Sequence, residues 1–306
     1  MKKIIMFLLI FFITITSIAT SKEKLDYKNE MRKLIFSIRE RAGDKKTIIT
    51  NGGVAIYFDD NYKINDKMFN TVDGILVESV VYGYGGYNKK TPKDQQEIFL
   101  RFLTPLKKQG KEVILLDYVN NERGKQEVKN FLNENNFKGE TPTSTGLNHI
   151  YNPTLKSKNS NIKTVKDAEN LLVLLNYEKF SNAEELVRIL SYTNFDLLII
   201  DPFIGKTILT KEQVEKIRTR EDGTKRKVLA YMSIGEAETY RCYWNENWKV
   251  GSPKWLLEEN ENWENNYIVE YWNKDWVKII KDTQREIDKS NFDGYFLDTI
   301  DSYQRF

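Results

Sequence analysis

The sequence predicts an α/β fold, eight βα units closed into a single (β/α)8 barrel, and three observations predict it. Short β-branched or apolar runs alternate with amphipathic stretches along the chain, the pattern of parallel strands joined by helical crossovers. Several runs are apolar at consecutive positions, as strands covered on both faces must be. The length of 306 residues suits one barrel of about 250 residues with a leader.

Lys2 and Lys3 precede an almost wholly apolar stretch from Ile4 to Ile18, with small residues at Ser17, Ala19 and Ser21, the layout of an export signal over residues 1–21. The stretch is short of the ~20 apolar residues a spanning helix needs. The expectation is a cleaved leader, no stable membrane insertion afterwards, and a secreted or periplasmic chain, with a retained anchor as the alternative. Anchoring through a lipidated N-terminal cysteine is excluded, since the single cysteine is Cys242.

Next, Met31, Leu34, Ile35 and Ile38 recur at helical spacing over residues 26–42, and Gly43 stands where a C-terminal cap belongs. Strands are predicted at 47–51, 74–81, 112–119, 171–177, 196–201, 227–236 and 294–301, with a weak one near 140–144. Thr91-Pro92 opens a helix that Gly110 closes. Ser181 with Glu184 and Thr210 with Gln213 have capping-box spacing, and Asn273 caps a helix through Trp276, Ile279, Ile280 and Ile287. The polar segment 157–166 reads as a surface connection between residues 22–155 and 170–306, two half-barrels of one domain. A short repeat links them: Asp73-Gly74 enters a strand with Glu78 four residues past the glycine, and Asp293-Gly294 enters another with Asp298 at the same offset.

Composition narrows the chemistry. Hydrophobic residues at 40% and charged residues at 30% describe a folded chain rather than a disordered or multispan one. Of 47 basic residues the leader takes two, leaving 45 against 44 acidic, so no electrostatic pull toward nucleic acid is expected. One histidine, His149, and one cysteine leave no ligand set for a multi-histidine or cysteine metal cluster. Neither metal nor cofactor is expected, and catalysis falls to carboxylates.

In such a barrel the site lies at the C-terminal strand ends, where Asp117, Asp201, Glu236, Asp298 and Asp301 fall, joined by Glu78 and Asn51. Carboxylates converging on one mouth raise one another's pKa, so at least one should hold its proton near neutral pH. That split supplies an acid and a base or nucleophile, the pair that cleaves a glycosidic bond. Alternation sends Asp298 and Asp301, three apart, to opposite sides of an ideal strand. All six tryptophans, Trp244, Trp248, Trp255, Trp263, Trp272 and Trp276, follow the strand ending near 236. Some should stack on sugar rings above the mouth and the rest should pack the loop, Trp276 among the latter.

These residues resemble a known family. Tyr231-Met-Ser-Ile-Gly-Glu-Ala-Glu-Thr-Tyr-Arg241, Tyr243-Trp244, Pro253-Lys-Trp255-Leu256, Glu259-Asn260, Tyr271-Trp272 and Phe292-Asp-Gly-Tyr-Phe-Leu-Asp-Thr-Ile-Asp-Ser-Tyr303 look like glycoside hydrolase family 114, in its branch of endo-α-1,4-polygalactosaminidase-like proteins. The resemblance implies a TIM barrel that hydrolyses α-1,4-linked galactosamine-rich polysaccharide without a metal. It puts Asp201 and Glu236 in the catalytic roles, with Glu238 the rival of Glu236. Asp298, Asp301, Glu78, Asp117, Glu238, Arg241, Tyr231, Ser233, Asn51, Trp244 and Trp272 are then the substrate-binding set. In such relatives the stretch resembling 176–301 comes before those resembling 48–52, 73–79 and 113–118, so the order here implies a circular permutation. A polysaccharide partner, no nucleic acid and a monomer complete the expectation. A sugar-binding barrel without turnover is the alternative.

Overall fold

The computed structural model describes residues 25–158 and 160–306; the predicted leader, 1–21, lies outside them. Eight parallel strands form the central sheet: β1 (Thr47–Asn51), β2 (Gly74–Glu78), β3 (Glu112–Leu116), β4 (Lys138–Glu140), β5 (Leu171–Leu174), β6 (Leu197–Ile200), β7 (Lys227–Ser233) and β8 (Gly294–Asp298). Their order is β4-β3-β2-β1-β8-β7-β6-β5, a nearly closed (β/α)8-type barrel in which both halves of the sequence share one sheet. Thr47 lies opposite Gly294 and Ile49 opposite Phe296 where β1 meets β8.

Register divides each strand between two cores. Ile49, Leu76, Ile114, Leu116, Val173, Ile199, Leu229 and Phe296 fill the barrel interior, while Ile48, Ile75, Val113, Leu115, Leu172, Leu198, Val228 and Leu297 pack outward under the helices. Consecutive apolar residues are thus explained by burial on both faces. The aspartates of the repeated Asp-Gly pairs act alike, each holding the start of a neighbouring strand. Asp73 accepts from the Ile48 amide at 2.7 Å, and Asp293 from the Val228 amide at 2.9 Å.

The helices are α1 (Tyr27–Ala42), α2 (Asp66–Thr71), α3 (Lys93–Lys108), α4 (Glu122–Asn135), α5 (Ala183–Ser191), α6 (Lys211–Arg218) and α7 (Lys274–Lys289). Asp26 caps α1 through the Asn29 amide, and Thr210 with Gln213 forms the predicted capping box on α6. On α5 the cap is Asn182, accepting from the Glu185 amide, one residue beyond the predicted Ser181. α1 contacts both α7 and α2, occupying the helix position that follows β8 in the ring. Tyr27 at its start stacks on Phe306, with ring centroids 5.1 Å apart.

Two features depart from the regular pattern. β1 ends where predicted and β6 one residue earlier, whereas the other strands end three or four residues earlier than predicted, because the apolar runs continue into loops packed on the core. Between β4 and β5 the described residues form only the short 3-10 turn Val165–Asp167, and no backbone ladder joins these strands. Side chains close that seam: Glu140 accepts from the Thr154 amide at 2.7 Å and the Leu171 amide at 3.4 Å. The Tyr151 hydroxyl donates to the Leu171 carbonyl at 3.1 Å and accepts from the Val173 amide at 3.3 Å.

Candidate active site

A cavity of about 1200 Å³ opens at the C-terminal ends of the strands, larger than the ~300–1,000 Å³ of a usual small-molecule site. Strand phase decides which side chains reach it. Asn51, Glu78, Tyr118, Asp201, Tyr231 and Asp298 each stand two residues beyond an interior residue of their own strand, and all line the cavity. Glu236, Glu238, Arg241 and Asp301 line it as well.

Two networks meet there. In the first, Arg241 Nη1 contacts both oxygens of Asp201 at 2.8 Å, and its Nε donates to Glu238 at 2.5 Å. Tyr240 donates to Glu238 at 2.7 Å, and the Phe203 amide donates to Asp201 at 2.8 Å. In the second, Asn51 donates one hydrogen to Glu78 and one to Asp298, both at 2.9 Å, so the two acids of the repeat share one amide. Tyr118 bonds Glu78. The Tyr231 hydroxyl joins the networks, donating to Asp298 at 3.0 Å or Glu238 at 3.3 Å.

Burial controls the protons. It pushes the Asp298 carboxyl up to about 7, the Asn51 amide opposing and the Glu78 charge adding to the rise. It raises Asp201 while the Arg241 charge pulls the other way. It also raises Glu236, whose carboxylate form is held by the Asn260 amide at 2.9 and 3.1 Å from its two oxygens. Asp301 is raised by burial too.

Four candidates fall elsewhere. Asp117 is out of phase with Leu116 and Tyr118; it is fully buried and accepts from the Val81 and Tyr82 amides at 2.6 and 2.8 Å, fixing the turn after β2. Ser233 donates to the Glu236 carbonyl at 3.0 Å, bracing the turn that carries Glu236. Trp244 packs on Trp248 and Tyr267. Trp272 is wedged among Tyr27, Tyr271 and Phe306. Asp298 and Asp301, expected on opposite sides, both line the cavity: β8 ends at Asp298, and Thr299, with φ 59°, turns the chain into a 3-10 helix. Sequence reasoning missed Tyr118 and Asn260. Strand phase alone would have found Tyr118, whereas Asn260 comes from an irregular loop that no periodicity marks. Among the described residues no cluster of His, Cys, Asp or Glu has the arrangement of a metal site, and no helix is long and apolar enough to cross a membrane.

Fold and site together define the class of the molecule, a parallel barrel with a carboxylate-lined cavity at the C-terminal ends of its strands. Residues 187–306 match the model of glycoside-hydrolase family GH114, and this segment carries Asp201, Phe203, Glu238, Tyr240 and Arg241 of the first network. An uncharacterized protein of Deinococcus radiodurans is 40% identical over 111 residues, covering 36% of this chain and 35% of its own. One of Methanocaldococcus jannaschii is 37% identical over 160 residues, 50% of this chain and 45% of its own. One of Thermotoga maritima is 35% identical over 115 residues, 38% and 35%. The chain spans less than half the length of these curated relatives.

Proposed function

We propose that the protein is a secreted or periplasmic monomer that hydrolyses α-1,4-linked, galactosamine-rich polysaccharide. The observation that carries the substrate class is the charge of the cavity. Glu78, Glu178, Asp201, Glu236, Glu238, Glu264, Asp298 and Asp301 line it, against Arg241 and Arg305, with no lysine among the described lining residues. A cationic amino sugar neutralises such an excess, which a neutral sugar leaves as repulsion among the acids.

Glu236 serves as the proton donor. Burial favours its neutral form, and its side chain has no cation in direct contact among the described ion pairs. Its proton passes to the glycosidic oxygen as the bond to the anomeric carbon breaks. Asp201, whose carboxylate form Arg241 and the Phe203 amide favour against burial, either attacks the anomeric carbon or takes the proton of the attacking water. Retention in the product marks the first route and inversion the second. Glu238 is a positioning residue that holds Arg241 against Asp201.

The test is incubation of the protein with galactosamine and glucosamine polymers, scored by chain length. The galactosamine polymer should shorten, and Asp201→Asn or Glu236→Gln should lower kcat by roughly 10²–10⁴ while the polymer still binds. If the wild type binds the polymer and releases no new chain ends, the protein is a sugar-binding barrel.

A further inference from the structure

Given a polysaccharide substrate as proposed above, we infer that Trp263 is the platform on which a sugar ring stacks away from the cleaved linkage, and that its loop couples that ring to Glu236. Five of the six tryptophans are committed to packing. Trp255 and Trp276 are buried, and Trp276 donates to the Ile234 carbonyl at 2.8 Å. Trp248 meets Trp244 and Trp255 edge-on, and Trp272 fills the space between Tyr27 and Phe306. Trp263 is 63% exposed, has no aromatic partner among the described residues, and lines the cavity between Asn262 and Glu264.

Its exposure is built into the loop. The strands Leu256–Glu259 and Asn266–Val269 pair antiparallel, and residues 260–265 connect them. The Trp263 amide donates to the Asn260 carbonyl at 3.1 Å, and the Asn266 amide to the Trp263 carbonyl at 3.2 Å. Asn262 donates to the Asn260 side chain at 3.0 Å, and Asn265, at φ 67°, donates to Glu259 at 2.8 Å. The indole is therefore presented by a backbone that is already ordered, so a ligand loses little by using it. A flat apolar ring with a negative face complements both the C–H face of a pyranose and an ammonium group. Asn262 and Glu264 beside it offer partners for hydroxyl and amino groups.

The same loop reaches the chemistry. Asn260, three residues before Trp263, grips both oxygens of Glu236. A ring seated on Trp263 thus lies one loop away from the proton donor. The loop measures the spacing between a bound ring and the linkage that receives the proton, which makes Trp263 a determinant of chain-length preference.

The experiment uses the full chain and its Trp263→Phe and Trp263→Ala variants with a galactosamine polymer and a galactosamine disaccharide. In the wild type, bound polymer should protect the exposed indole from acrylamide quenching, and in Trp263→Phe that protection should vanish. Trp263→Ala should raise KM for the polymer roughly three- to tenfold, more than it changes kcat, and should narrow the preference for polymer over disaccharide. Unchanged KM and length preference in Trp263→Ala, or polymer protection that persists in Trp263→Phe, would overturn the inference while leaving the proposed activity standing. If both variants fail to fold, the wild type decides: polymer that binds without altering acrylamide quenching overturns it. A Glu236→Gln protein that binds no polymer, with a wild type that cleaves none, sinks the polysaccharide reading and Trp263 with it.

Discussion

Asn260 gives its amide to both oxygens of Glu236, and the contact favours the charged form. In Asn260→Ala the Glu236 carboxyl loses that support and its pKa climbs further. The alkaline limb of the pH–rate profile should move to higher pH while kcat falls, measurable across pH 4 to 9; a limb that stays in place separates Glu236 from the proton-donor role. Arg241 lies between two buried carboxylates. Arg241→Ala strands both and should destabilise the fold by about 3–5 kcal/mol, read by denaturant unfolding. At this scale the sequence was legible wherever strand phase held. Asn51, Glu78, Asp201 and Asp298 follow interior residues by two. Asp117 has the same residue type at a strand end but the wrong phase, and its carboxylate satisfies backbone amides instead.

Glycine sets the close approaches between elements. A Cβ at Gly294 would stand 1.8 Å from the Thr47 carbonyl oxygen, where β1 and β8 touch. Gly294→Ala should therefore destabilise by at least ~1–3 kcal/mol, seen as a lowered melting temperature. A Cβ at Gly235 would meet the Thr299 carbonyl at 2.3 Å and Ser302 Oγ at 2.4 Å, pushing apart the turns that carry Glu236 and Asp301. The positions of α1, α6 and α7 were readable because the side-chain caps Asp26, Thr210 and Asn273 leave local signatures, whereas α2 and α4, capped by Asn65 and Asn121, were not predicted. Strand ends were less readable, since Val80, Val81 and Ile234 remain buried after the ladder stops. The tryptophans resisted sequence reasoning for a different reason. Nothing in their spacing distinguishes Trp272, packed on Phe306, from Trp263, open to the cavity.

For the whole molecule, we propose that the chain order is a circular permutation of the family's, with 22–155 and 170–306 as exchanged halves. Tyr27 against Phe306 and α1 in the position after β8 support it. A rearranged chain running from 170 to 306, through a short linker, then from 25 to 155 should fold with the circular dichroism of the parent; an unfolded product counts against the proposal. Burial also ties stability to pH, pushing Asp117 and Asp298 up to about 7 and Glu140 up to about 8. Each binds its proton more tightly folded than unfolded, so its contribution is complete below about pH 4 and lost as pH rises to about 7–8. The melting temperature should fall between pH 5 and 8, and Glu140→Gln should flatten the decline.

The seam between β4 and β5 gives that dependence a location. Seven interfaces of the ring are laced by main-chain ladders, whereas this one is buttoned by a phenol and a carboxyl group. The ring should breathe there first, so deuterium should enter the Leu171 and Val173 amides ahead of those in β1 or β8. Alkaline solution, by charging one button, should hasten that entry before the rest of the ring responds.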